Sequence, residues 1–191
     1  MIPVLLLFIP GPGNLALISS AGQGGLRGGL ASVFGLLLGD QILLWLAVAG
    51  AAAILVANPL VFKGLQIVGA MYLAWLGFKM LLAKQGDKPA VEIEAGQYFK
   101  QTMWITLLNP KAVMFYVAFF PQFIQPELPA LPQFGILLIT FTVIEVSWYL
   151  IYALSGHKLS QYLQQAHVLK NFNRVTGGVF VGFAALMAAS R

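Results

Sequence analysis

Pro10-Gly11-Pro12-Gly13-Asn14 interrupts an apolar run that extends from Ile2 to Ile18. Two prolines and two glycines so close together do not let one helix pass straight through, because proline lacks the backbone donor and its ring clashes with the preceding turn. In lipid, backbone freed this way is tolerated only when it is buried in protein or lines a wet cavity. A second interruption, Asn109-Pro110-Lys111, lies in the second half of the chain. Paired interruptions in corresponding positions of two halves point to the binding site of a transporter.

The composition names the solvent. The 191 residues are 59% hydrophobic and 9% charged, with mean hydropathy +0.83, whereas a soluble domain carries about 25% charged residues. Such a chain has too little polar surface for water and reads as an all-α integral membrane protein. It has no Cys, which excludes disulfides, thiolate metal sites and thiol redox chemistry. His157 and His167 fall in one polar segment, and no metal or other cofactor is expected. The net charge of +5 calls for no nucleic acid, since basic loops follow from membrane topology. The N-terminus is apolar from its second residue, without a charged leader region, and reads as a mature span and not a signal peptide.

Six apolar segments stand out, at 2–22, 29–57, 60–82, 99–124, 131–154 and 175–189. Most approach the roughly 20 helical residues that cross about 30 Å of hydrocarbon; the last is the shortest. Asn58-Pro59 marks a tight turn, and Pro126, Pro129 and Pro132 mark another. A polar linker at 84–97 divides one transmembrane domain, 1–191, into halves of three spans, about 1–83 and 98–191. Arg27, Lys79, Lys84, Lys88, Lys100, Lys158, Lys170 and Arg174 follow spans one, three and five, against Lys63 and Arg191 opposite. The positive-inside rule makes that linker cytoplasmic and turns both termini outward.

The halves look related. Gly69-Ala70-Met71-Tyr72 with Trp75 resembles Gly177-Gly178-Val179-Phe180 with Phe183. The two breaks align at a similar offset, and Asp40 in span two falls opposite Glu145 in span five. Three spans per half require the repeats to be inverted, with spans one and four broken.

Asp40, Lys111 and Glu145 are the ionisable residues inside spans, each roughly 18–20 Å along its helix and so near the midplane. A charge there costs on the order of 3 kcal/mol, so each should face the interior, pair, or change protonation. A structural ion pair between Lys111 and an acid is the plain alternative. Thr142, Glu145, Tyr149 and Tyr152 share one helical face, which makes Tyr149 a candidate substrate contact. Thr102, Thr106 and Asn109 form a similar stripe leading into Pro110. Gly29, Ser32, Gly39 and Gly50 form a small-residue stripe suited to close helix packing, with Asp40 at its edge.

The breaks have a physical use. Asn109 suits a helix N-cap and Pro110 the first helical position; Pro12-Gly13-Asn14 suits the start of another half-helix. Such a terminus offers N–H groups and a positive dipole end to a carboxylate, and Lys111 adds to it. Asp40 or Glu145 would meet an ammonium group or a proton. The pattern suits a small zwitterion with a proton as coupling ion.

These residues resemble the lysine exporter / homoserine–threonine resistance family of bacterial amino-acid exporters. Pro10-Gly11-Pro12 with Asn14, Gly24 to Gly29, and Gly35-Leu36-Leu37-Leu38-Gly39-Asp40 match its N-terminal signature. Gly69, Tyr72, Leu73, Leu76, Gly77 and Lys79 look like its third span. Asn109-Pro110-Lys111-Ala112 with Phe119-Phe120-Pro121-Gln122-Phe123 is its second-half hallmark. Family members carry more residues before the proline motif, so the first half-helix here is expected to be short. The resemblance implies six spans in the bacterial inner membrane and efflux of neutral amino acids of the leucine or homoserine/threonine type, driven by proton entry. It carries a functional role onto Pro10, Pro12, Asn14, Asp40, Asn109, Pro110 and Lys111; Glu145 is added by its position and pairing. The partners implied are a small amino-acid substrate, protons and membrane lipids, with no nucleic acid, and a homo-oligomer is compatible with the pattern. An exporter of another small solute or a cation is the alternative, but cation exporters usually carry His-, Cys- or acid-rich loops. An enzyme would need a nucleophile–base pair at depth, and none is present.

Overall fold

The computed structural model describes residues 12–82, 93–163 and 166–189. Among them the regular structure is entirely helical: α1 (Pro12–Ala57), α2 (Pro59–Leu82), α3 (Tyr98–Leu107), α4 (Pro110–Phe119), a 3-10 turn (Phe120–Phe123), α5 (Ala130–Leu163) and α6 (Ala166–Ala189). Pro10 and Gly11, and most of the linker at 84–97, lie outside the described residues.

The first two apolar segments merge into α1, whose 46 residues would reach about 69 Å if straight. They do not run straight. Gly25 has φ 57° and ψ −149°, a region open essentially to glycine alone. A Cβ on Gly28 would meet the Ser20 carbonyl oxygen at 2.5 Å, and one on Gly29 would meet Ala21 Cβ at 3.2 Å. Residues eight apart touch only if the chain doubles back, so the connection expected around Arg27 is a reversal at one glycine.

Asn58 ends α1 and caps α2, its side chain accepting from the Leu60 and Val61 amides at 3.0 and 3.2 Å. The fourth apolar segment is broken where the sequence indicates. Tyr98–Leu107 and the run Pro110–Phe123 meet at 57°. Gln122 donates from its amide to the Gln66 and Ala118 carbonyls, while Gln66 donates to those of Pro121 and Ile124. These bonds tie the far end of the broken segment to α2.

Three helices are long and apolar enough to cross a membrane, Pro12–Ala57, Pro59–Leu82 and Ala130–Leu154, and a fourth if the bent pair is one span. The apolar part of α6, Arg174–Leu186, is shorter. Large apolar side chains such as Trp45, Leu46, Ile67, Trp75, Ile139 and Leu186 point outward, as they do when the solvent is lipid.

Packing places the polar interior. α1 lies chiefly along α3 and α5, and α2 along α6 and α4. A Cβ on Gly35 would fall 2.2 Å from the Phe99 carbonyl oxygen, so α1 and α3 touch backbone to backbone, as small-residue stripes allow. Gly29 and Gly39 of that stripe also pack closely, but Gly50 faces open space. Gly69, paired with Gly177 by the repeat comparison, packs on Ala118 and Gln122, whereas Gly177 and Gly77 meet each other reciprocally at 2.7 and 2.8 Å from would-be Cβ to carbonyl oxygen. Two apolar clusters result. One gathers Leu43, Leu44, Phe62, Leu73, Phe119, Phe120, Phe141 and Phe180; the other gathers Leu17, Val33, Leu36, Tyr149 and Tyr152. Asp40 lies between Leu36 and Leu43 along α1, and Glu145 between Phe141 and Tyr149 along α5. Both acids therefore sit on the seam between the clusters.

Candidate functional site

A cavity of about 140 Å³ opens at that seam. An apolar cavity of about this size in another protein binds benzene, so the space suits the body of one small solute. Pro12, Asn14, Asp40, Asn109, Lys111 and Tyr149 line it, so six of the residues singled out from sequence converge on one space. Pro110 starts α4 directly behind Asn109. Pro10 is outside the described residues, and Glu145 is not on the cavity wall. The remaining wall includes Leu36, Leu76, Phe115, Phe141 and Phe180, with Thr106 and Tyr116 adding hydroxyls.

The start of α4 is built as its residue types dictate. Asn109 adopts an extended backbone conformation, and its side-chain oxygen accepts from the Lys111 amide at 3.1 Å. Pro110 has no N–H to leave unpaired, and the Val113 amide bonds the Asn109 carbonyl at 3.1 Å. In this first turn Ala112, itself on the cavity wall, carries the remaining N–H. Lys111 is exposed and adds an ammonium group to the same end of the space. This end is the positive pole of the site, through the charge and the helix terminus together. The start of α1 contributes Pro12, Gly13 and the buried Asn14.

The two acids meet across α4. Asp40 is 5% exposed and Glu145 fully buried. Tyr149 donates its hydroxyl to Asp40 Oδ2 at 2.5 Å. The Tyr116 hydroxyl lies 3.0 Å from Asp40 Oδ1 and 2.8 Å from Glu145 Oε1. Gln41 donates to Thr142 Oγ1 at 2.9 Å and reaches Glu145 Oε2 at 3.4 Å. Hydroxyls and one amide, supplied by three helices, thus hold the acids. The ion pair weighed for Lys111 is not what holds them. The Tyr116 ring is fixed by Phe120, stacked at 5.7 Å and 2°, and by Phe141, edge-on at 5.7 Å.

Tyr116 and Gln41 were not singled out from the sequence. Tyr116 sits in the aromatic run Phe115-Tyr116-Val117-Ala118-Phe119-Phe120, where one hydroxyl is easily passed over. The available signal is that a tyrosine buried at membrane depth needs a partner for its hydroxyl. Gln41 is masked by its neighbour, the charged Asp40. Among the described residues no cluster of His, Cys, Asp and Glu is arranged to hold a metal.

Residues 4–191 match the family model described as LysE type translocator. A protein named leucine efflux protein from Klebsiella pneumoniae is 35% identical over 97% of this chain and 90% of its own length. Proteins of the same name from Salmonella choleraesuis and Salmonella typhimurium are each 34% identical, again over 97% of this chain and 90% of theirs. No solved structure matches the chain.

Proposed function

The chain belongs to the LysE type translocator family, and from that premise we propose that it exports a neutral amino acid of the leucine type across the bacterial inner membrane in exchange for protons. One observation carries the reading: a single cavity presents a positive end at Ala112 and Lys111, the Asp40 carboxyl, and apolar walls between them. A zwitterion needs those three things. Its carboxylate takes the Ala112 amide and the Lys111 ammonium, its ammonium takes Asp40, and an aliphatic side chain rests among Leu36, Leu76, Phe115, Phe141 and Phe180. These walls favour a leucine-type substrate over the homoserine/threonine type, which would leave a hydroxyl against hydrocarbon at a cost. The names of the relatives point the same way.

Asp40 is the proton-coupling acid in this reading, and Glu145 its weaker partner. An ammonium group and a proton then compete for one carboxyl, which is the simplest form of antiport. Six spans in two inverted repeats fit the reversal at Gly25, the 57° break in the fourth segment and the reciprocal contact of Gly77 with Gly177.

Cells preloaded with dipeptides and assayed for every amino acid they release test the substrate. Leucine or a close aliphatic relative should leave fastest; release of no amino acid above the level of cells lacking the gene contradicts the reading. Single cysteines at Gly86 and Arg191, in a chain with none of its own, test the topology. An impermeant thiol reagent on intact cells should label the second and spare the first; the reverse pattern overturns it.

A further inference from the structure

The tyrosine between the acids does not have enough protons for the contacts it makes. Tyr116 Oη is within hydrogen-bond distance of both Asp40 Oδ1 and Glu145 Oε1, and a phenol has one hydrogen to donate. The other carboxyl oxygens are served separately, Asp40 Oδ2 by Tyr149 and Glu145 Oε2 by Gln41. With both acids ionised, one contact at Tyr116 is oxygen against carboxylate oxygen with nothing between, in a site where both carboxyls are buried. One added proton, on either acid, satisfies every contact, because the protonated carboxyl donates to Tyr116 Oη while Tyr116 donates to the other.

We propose that Asp40, Tyr116 and Glu145 form one unit that holds a single shared proton, with the Tyr116 hydroxyl as the link that passes it between the acids. The transfer balances without a co-reactant. The O–H bond at Asp40 Oδ1 breaks as its proton reaches Tyr116 Oη, and the tyrosine's own proton leaves to Glu145 Oε1. Tyr116 is neutral before and after. The unit carries one negative charge, so Glu145 stores the proton when Asp40 is engaged by a substrate ammonium on the cavity side.

The surroundings suit this. Besides the three members, the charged or titratable groups facing the site are Tyr149 of α5, bonded to Asp40, and Lys111 of α4 on the cavity wall, with Lys79 of α2 near Lys111 and Tyr152 of α5 near Tyr149. At the cavity α2, α3 and α6 present Leu76, Thr106 and Phe180, which do not titrate. Glu145 does not reach the cavity wall except through Tyr116, and this gives the hydroxyl its role as a positioning and relay group.

The transport consequence rests on the proton-exchange reading; the shared proton does not. Infrared spectra of the full chain in lipid at neutral pH should show the carbonyl stretch of a protonated carboxyl, because exposed carboxylates are ionised there. Asp40→Asn and Glu145→Gln should each remove it, since either variant leaves one acid and Tyr116's hydrogen to serve it. Tyr116→Phe should keep the band but move it to higher frequency, as the acid loses its acceptor. No band in the wild type, or a band untouched by Asp40→Asn, overturns the shared proton. In vesicles, Tyr116→Phe should lower the ratio of pH-driven export to substrate–substrate exchange about tenfold, the effect of roughly 1.4 kcal/mol, and an unchanged ratio overturns the relay. If the wild type itself shows no pH-driven export, the antiport reading fails, while the infrared result still decides the shared proton.

Discussion

Asp40 and Glu145 both lie well inside apolar segments, the second and the fifth, yet the fold treats them differently. Asp40 lies on the cavity wall and takes two tyrosine hydroxyls. Glu145 is fully buried behind Tyr116 and is otherwise reached by the Gln41 amide, at 3.4 Å. One acid can meet substrate and water directly; the other communicates only through a phenol. Equal depth in a sequence therefore does not make two acids equivalent: access to the cavity separates them.

The largest effect should come from removing the charge of the acid on the cavity wall. Asp40→Asn keeps the shape and is expected to reduce leucine-type efflux from dipeptide-loaded cells below about a tenth of wild type, as loss of a charged hydrogen-bonding partner worth 1.5–3 kcal/mol implies. Glu145→Gln should keep a clearly measurable fraction of efflux at equal expression. Equal defects in the two variants would break the comparison.

Tyr149→Phe comes next. It strips Asp40 Oδ2 of its donor without disturbing Tyr116, and should cost several-fold in efflux rate, about the value of one hydrogen bond to a charged group. A milder loss than that of Glu145→Gln would mean that Tyr149 only packs. The smallest effect is expected at the positive end. Asn109→Ala removes the bond to the Lys111 amide, and cap losses are about 1 kcal/mol in soluble proteins, so the half-maximal substrate concentration should rise several-fold. An unchanged concentration dependence would reduce that break to packing.

Much of this site was legible because membrane depth makes polar residues conspicuous. Asp40 and Glu145 stood out as charges in apolar runs, and Asn109-Pro110 as a cap and first-turn pair that could only start a helix. The helical spacing of Thr142, Glu145, Tyr149 and Tyr152 put one stripe on the correct face. What was not legible is set by tertiary contact. Tyr116 looks like its aromatic neighbours until its hydroxyl is seen between two carboxyls. Gly25 looks like its neighbours Gly22, Gly24, Gly28 and Gly29, and only the backbone conformation identifies it as the reversal. The apolar wall draws on Leu36, Leu76, Phe115, Phe141 and Phe180, whose side chains carry no signal that distinguishes lining from core.

The central claim is that Asp40, the acid on the cavity wall, couples export to protons. Purified protein in vesicles with an imposed pH difference and no other gradient tests it directly. Wild type should concentrate leucine or its close relative against its gradient, and Asp40→Asn should not, while still exchanging substrate down its gradient. If Asp40→Asn concentrates substrate as wild type does, Asp40 is a polar anchor between helices and the coupling lies elsewhere.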